Sequence, residues 1–194
     1  MSFCGRPLLC APGRVMTPRA ATEQLVEQAL AYIGDRPLHV VDVGTGSGAI
    51  AVAIAAAAPN VRVFASDTSE AAVAVARANV RKHGLEDRVS VHHGALLASV
   101  PEPVDVVLAN LPYLPASDAA RYPDLASEPA EAVFAAGDGL EPYRRLVTAC
   151  EERLSDDGAV FLQLHRRVLA ATRQQLHELR AQLGESAPEL RAAA

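Results

Sequence analysis

Apolar positions change their spacing repeatedly along the chain. Leu25, Val26, Ala29, Leu30 and Ile33 mark one face of a helix over 22–33, and Gly34 follows as a stop. Residues 38–43 (LHVVDV) are almost all apolar, which predicts a strand covered on both faces. Small residues fill 47–58, a helix able to lie close on a sheet, and Pro59-Asn60 ends it. The alternation then repeats. Strands are predicted at 61–66, 88–92, 104–109 (VDVVLA) and 159–164 (AVFLQL). Helices are predicted at 69–83 with Gly84 as its stop, at 139–154 and, long and amphipathic, at 166–183. The tail 184–194 reads as frayed. At the other end, RPLLCAPGRVMTP sets two short apolar runs around Pro12-Gly13 and predicts an extended arm or hairpin within 1–20.

Strands alternating with helices predict an α/β fold with a doubly wound, mostly parallel sheet. No linker and no internal repeat interrupts it, so 1–194 reads as a single domain. Residues 110–138 are proline-rich and long for a connection in such a domain, as binding loops and lids are.

Composition narrows the functional classes. With 50% hydrophobic and 21% charged residues, a disordered chain, a collagen and a disulfide scaffold are excluded. A net charge of -5 and a pI near 5.7 disfavour nucleic acid as a partner. Cys4, Cys10 and Cys150 are odd in number and lack metal-ligand spacing, which predicts free thiols and no metal. The start MSFCGRPLLC does not read as a signal peptide. The most apolar run, 49–58, is well short of the ~20 residues of a bilayer span. A cytoplasmic protein with no membrane partner is expected.

Two motifs carry chemistry. The first is VVDVGTGSGAIAVAIA at 40–55, a buried strand running through Gly44, Gly46 and Gly48 into a helix. Such a turn lets a ligand approach the backbone closely, with the positive end of the helix dipole nearby. Gly44-x-Gly46-x-x-Ala49 also fits a dinucleotide fingerprint, with Asp67 at the distance of a ribose-binding acid, so two cofactor classes stay open. Asp67 either accepts from ribose hydroxyls or caps the helix after it. Asp42 either anchors the turn or approaches a cofactor's amino group.

The second motif is Asn110-Leu111-Pro112-Tyr113, directly after the strand at 104–109. The Asn oxygen and the next backbone carbonyl form a pair of acceptors that can hold both hydrogens of an NH2 group. Tyr113 offers a flat face for an amide or a base. Held so, the nitrogen lone pair is aimed at an electrophile, and positioning and desolvation supply most of the effect when that electrophile is a sulfonium methyl.

On these residues the sequence resembles the HemK/PrmC family of S-adenosylmethionine-dependent protein-glutamine N-methyltransferases. Similar runs are Thr17-Pro18-Arg19, residues 22–27, residues 40–55 and Asn110 to Tyr113. Glu128-Pro129, Gly137-Asp138-Gly139-Leu140 and Tyr143-Arg144-Arg145-Leu146 match a further run that general methyltransferases do not share. The resemblance implies a class I methyltransferase, Rossmann-like fold, S-adenosylmethionine as cofactor, and a protein substrate such as a peptide-release factor. It implies cofactor contacts from Asp42, Gly44, Thr45, Gly46, Ser47, Gly48, Asp67, Thr68 and Asn110. It implies that Asn110 and the carbonyl of Leu111 hold the amide nitrogen, with Pro112 and Tyr113 shaping the pocket.

The sequence also departs from the family. Leu111 stands at the first proline of the family's Asn-Pro-Pro-Tyr, Ala20 and Ala21 where proline and an acid are usual, and Gly94-Ala95 where an acid approaches the adenine. His92 and His93 beside them read as strand-end residues in solvent. The N-terminal helical domain of bacterial members is expected to have no counterpart here. Nothing after 183 has strand character, so the C-terminal hairpin of such folds is expected to be missing. The strand at 159–164 then becomes an exposed edge, to be covered by a partner, a second copy or the arm at 7–16. Alternatives are an N-methyltransferase on a nucleic-acid base or small-molecule nitrogen, and a methyltransferase-like subunit that needs a partner.

Overall fold

A computed structural model describes residues 1–100, 103–164 and 189–193. The chain opens with a small hairpin, β1 (Ser2–Phe3) and β2 (Arg6–Pro7), followed by helix α1 (Ala20–Ile33). Strand β3 (His39–Val43), α2 (Ala49–Ala57), β4 (Arg62–Asp67), α3 (Glu70–Lys82) and β5 (Val89–His93) come next. After β6 (Val104–Ala109) lie a two-residue strand β7 (Leu114–Pro115), two 3-10 turns, α4 (Ala130–Val133) and β8 (Phe134–Ala135). Helix α5 (Glu141–Glu151) and strands β9 (Leu154–Gln163) and β10 (Glu189–Ala193) complete the described elements.

The main sheet has six strands in the order β10-β9-β6-β3-β4-β5, every neighbouring pair parallel. Alternate side chains along each strand point to opposite faces. Val40, Val106, Leu108 and Phe161 pack with Leu25, Val26 and Ile33 of α1 and with α2. Val41, Val107, Val160 and Leu162 pack with Tyr143, Leu146, Val147 and Cys150 of α5. The strand order reverses at β3, which has β4 on one side and β6 on the other. In open α/β sheets, ligands bind outside the carboxyl ends of the strands at such a point. Both motifs leave the sheet there.

The predicted α/β architecture is the observed one, with corrections at particular elements. The hairpin turns at Cys4-Gly5, both at positive φ, while Pro12-Gly13 lies in a turn closed by Arg14 N and Val15 N on Ala11 O. The loop at 110–138 contains β7, α4 and β8, with β7 and β8 paired. Helix α5 ends at Glu151, and Leu154, predicted helical, begins β9. Residues 155–158 (SDDG) have the composition of a turn, and the register shift between Val104 and Val106 leaves them as an unpaired bulge within β9, where Ser155 Oγ donates to Asp105 Oδ1 at 3.0 Å.

The largest correction concerns the sheet edge. Residues 189–193, predicted to fray, are strand β10 and pair with residues 159–163 of β9. The edge expected to need a partner, a second copy or the arm is covered by the chain's own backbone. Residues 189–193 (ELRAA) contain no β-branched or aromatic side chain, so propensity carried no strand signal; the ladder with β9 supplies what propensity lacks. The arm instead lies along α3, where Asn79 Oδ1 accepts from Leu9 N at 2.7 Å and Asn79 Nδ2 donates to Leu9 O at 3.0 Å. The predicted helix at 166–183 lies outside the described residues. Among the described residues, no helix is long and apolar enough to cross a membrane.

Candidate active site

The glycine turn between β3 and α2 is closed from below and from the side. Ser66 O accepts from Gly44 N at 2.9 Å and from Thr45 N at 3.0 Å, and Thr45 O accepts from Gly48 N at 2.9 Å. Asp67 Oδ2 accepts from Gly46 N at 2.9 Å, while its Oδ1 accepts from Ser69 N at 2.9 Å. Asp67 therefore braces the turn and the start of α3 together. Asp42 is 0% exposed. Its Oδ2 accepts from Thr45 Oγ1 at 2.6 Å and from Ala51 N at 3.1 Å, and Oδ1 has no hydrogen-bond partner among the described residues. Burial pushes the Asp42 carboxyl up to about 7, against the lowering effect of those two bonds, and the Asp67 charge adds to the rise. Of its two candidate roles, the geometry shows the anchoring one.

The acceptor loop after β6 is held from further away. Asn110 Nδ2 donates to Thr22 Oγ1 of α1 at 3.2 Å. Leu111 N donates to the Tyr143 hydroxyl of α5 at 3.0 Å, and that hydroxyl lies 2.9 Å from Leu111 O and 2.7 Å from Gln163 O. The two motifs touch. A Cβ on Gly44, at φ 70°, would lie 2.7 Å from Leu111 Cδ2, so the glycine makes room for the leucine that replaces the family's proline. Gly139, at φ 86°, does the same for the far end of the loop, where a Cβ would come within 2.5 Å of Tyr113 O.

Together these elements enclose a cavity of about 460 Å³. Gly44, Thr45, Gly46, Ser47, Asp67, Thr68, Asn110, Leu111 and Pro112 line it. Asp42, Gly48 and Tyr113 do not line it. Tyr113 packs instead beside the α5 cluster, and burial raises its phenol above the ordinary value. Gly94 and Ala95 line the cavity; His92 and His93 do not. His93 Nε2 lies 3.0 Å from Thr68 O, and the His92 ring lies beside Phe64.

Sequence reasoning gave no role to several residues that frame this cavity. Glu128 Oε1 accepts from Arg19 Nη2 at 3.0 Å and Glu128 Oε2 from Thr17 N at 3.0 Å, tying the wall at 14–19 to the wall at 129–136. Thr22 and Tyr143 hold the acceptor loop. All of these lie in the runs that matched the family, which was the available signal. Asn79, whose Nδ2 also donates to Ser47 O at 2.8 Å, lies in none of them.

A parallel sheet with a glycine turn and an acceptor loop side by side at its switch point defines a class I, Rossmann-like methyltransferase domain. The chain belongs to the methyltransferase small domain family, whose model matches residues 20–126. It is 39% identical over 154 residues to a release factor glutamine methyltransferase of Enterococcus faecalis, covering 77% of this chain and 54% of the relative. It is 34% identical over 163 residues to a ribosomal protein uL3 glutamine methyltransferase of Burkholderia pseudomallei, covering 78% and 53%. These names agree with the resemblance to HemK/PrmC. The chain spans about half the length of these curated relatives. Among solved structures, a ribosomal protein L11 methylase from Lactobacillus delbrueckii subsp. bulgaricus shares the fold, with a TM-score of 0.63 and 24% identity over 84% of this chain and 70% of that one. The family match decides the fork that the glycine turn left open, in favour of a methyltransferase over a dinucleotide enzyme.

Proposed function

We propose that this domain binds S-adenosylmethionine in the cavity and methylates the side-chain amide nitrogen of a glutamine in a protein. The names of its relatives point to a release factor or a ribosomal protein as that substrate. Within this reading the reaction runs in the cytoplasm. The observation that carries the reading is the acceptor pair of Asn110 and Leu111 opening into the same cavity as the glycine turn.

The residues present fit the cofactor. The cavity falls within the roughly 300–1,000 Å³ of small-molecule sites. Each Asp67 oxygen uses one lone pair on a backbone N–H and keeps another for a ribose hydroxyl. The amides of Gly44, Thr45, Gly46 and Gly48 all have partners within the protein, so they offer no cluster of free donors to a pyrophosphate. That favours a nucleoside without phosphates. S-adenosylmethionine supplies a methyl group on a sulfonium centre. Asn110 Oδ1 and Leu111 O accept the amide hydrogens and turn the nitrogen toward that methyl. Pro112 limits the backbone freedom of the loop. Tyr113 acts through its backbone, packed on Gly139, and not through a stacked ring.

The test is transfer of labelled methyl from S-adenosylmethionine to purified release factors, to ribosomal protein uL3 and to fractionated extract. Label on one of these proteins, lost when a single glutamine is replaced by Asn, is the expected result. Label in RNA or in small molecules would overturn the substrate and keep the nitrogen chemistry.

A further inference from the structure

An Asn side chain has nearly the same shape with its oxygen and nitrogen exchanged, so its fold alone does not decide which atom faces a ligand. At Asn110 the choice is chemical. With Oδ1 toward the cavity an incoming NH2 group meets an acceptor; with Nδ2 there, donor would meet donor. Thr22 Oγ1, 3.2 Å away, accepts from Nδ2, and with the hydroxyl in that accepting role Oδ1 is left for the ligand. Thr22 is 4% exposed, in the first turn of α1, and lines the cavity itself.

Leu111 presents a matching arrangement on the other face of the sheet. The Tyr143 hydroxyl carries one hydrogen. It accepts from Leu111 N, which pins the peptide, and two carbonyl oxygens lie within its reach, Leu111 O at 2.9 Å and Gln163 O at 2.7 Å. One hydrogen serves one of them at a time. With the hydrogen on Gln163 O, the nearer of the two, Leu111 O gives up no lone pair to the phenol and keeps its accepting capacity for a substrate N–H. Tyr143 is 2% exposed, and burial holds its phenol well above the ordinary value, so the hydrogen stays on the oxygen.

We propose that Thr22 and Tyr143 are positioning residues: two hydroxyls, from α1 and α5 on opposite faces of the sheet, that together hold Asn110 and Leu111 as a double acceptor for a planar NH2 group. The inference rests on the amide-methylating reading above. Each hydroxyl acts through the acceptor it holds.

Thr22→Val keeps the shape and deletes the acceptor, and Thr22→Ser restores it. Both are compared with the parent for kcat and KM on the labelled protein substrate, for S-adenosylhomocysteine affinity, and for the side-chain amide resonances of Asn110, assigned by their loss in Asn110→Ala. The Val variant is expected to lose roughly ten- to a hundredfold in kcat, with S-adenosylhomocysteine affinity unchanged and the Asn110 resonances shifted. The Ser variant is expected to recover both. Tyr143→Phe is expected to lower kcat with the same unchanged affinity in the fraction that folds. Parent-like kcat in Thr22→Val, or equal losses in Val and Ser, would overturn the proposal. If the parent binds S-adenosylhomocysteine but methylates no amide, the functional reading fails instead. The Asn110 resonances then still decide the contact, and no shift in Thr22→Val overturns it.

Discussion

The cavity has two lips, and they are built in different ways. The glycine-turn lip is local: Asp42 holds Thr45 and Ala51, three and nine residues away, and Asp67 holds Gly46 across 21 residues. The acceptor lip is assembled from a distance. Asn110 is held by Thr22 across 88 residues, Leu111 by Tyr143 across 32, and the wall beside them by Glu128 reaching Thr17 across 111. The first lip is one strand, one turn and one helix, braced by Ser66 and Asp67 of the neighbouring strand and by Asn79 of α3. The second exists only once α1, α5 and the segment after the 3-10 turns have packed. The side proposed to hold the cofactor is thus a motif, and the side proposed to hold the substrate is a tertiary product.

The comparison is sharpened first by one change on each lip. Asn110→Ala removes the acceptor proposed to face the reacting nitrogen and should cost about 10²–10³ in turnover, the scale of a deleted oriented polar group at a reacting centre. S-adenosylhomocysteine affinity should hardly change. Asp67→Ala should do the reverse, weakening that affinity by roughly ten- to a hundredfold through loss of charge-assisted hydrogen bonds. Calorimetry and steady-state kinetics on the same two variants check both. Loss of affinity in Asn110→Ala with the fold intact would merge the lips into one functional unit.

A smaller effect lies beneath the glycine turn. The Asp42 carboxyl is raised to about 7, above the ordinary carboxylate value, so between about pH 4 and 7 the folded chain holds a proton that the unfolded chain has released. This contribution to stability is present at low pH and is lost as pH rises through 7. From pH 5 to 7 the loss from this group is about 2 kcal/mol by linkage. Asp42→Asn, which cannot ionise, should flatten that slope in denaturant titrations at the two pH values. An unchanged slope would refute the burial argument.

What the sequence disclosed follows the same division. Strand β3, the turn and α2 were legible because their signals are consecutive: an apolar run, three glycines at alternate positions, then small helix formers. The ends of α1 and α3 were legible through Gly34 and Gly84, both at positive φ. Asn110 and Leu111 were read as a chemical pair from their order in the chain, but what holds them was not legible. No spacing rule links residue 22 to 110 or 143 to 111. Strand β10 was missed for a related reason, since its pairing with β9 is a property of the sheet and not of the residues 189–193. Tyr113 was read as a stacking face from its type alone, and packing against the α5 cluster gives its ring another position.

The gentlest test acts on the wall that both lips share. Glu128 is 7% exposed in its side chain, and both its oxygens are used, one on Arg19 and one on Thr17 N. Arg19 is 42% exposed, so water screens the ion pair and its net contribution is small. Glu128→Gln keeps one acceptor and loses the charge, a change expected to cost about 1 kcal/mol of stability or less. Its informative effect is kinetic. Residues 14–19 line the cavity next to the glycine turn, where Val15 Cγ1 lies 3.9 Å from the position of a Cβ on Gly46. If this segment belongs with the cofactor, Glu128→Gln should speed S-adenosylhomocysteine dissociation severalfold in stopped-flow experiments and leave KM for the protein substrate alone. The opposite pattern, a raised KM with dissociation unchanged, would assign the segment to the acceptor lip, to which Thr22 already connects α1. The boundary between the local lip and the assembled one would then run through residues 14–19, between Val15 at the turn and Arg19 at the head of α1.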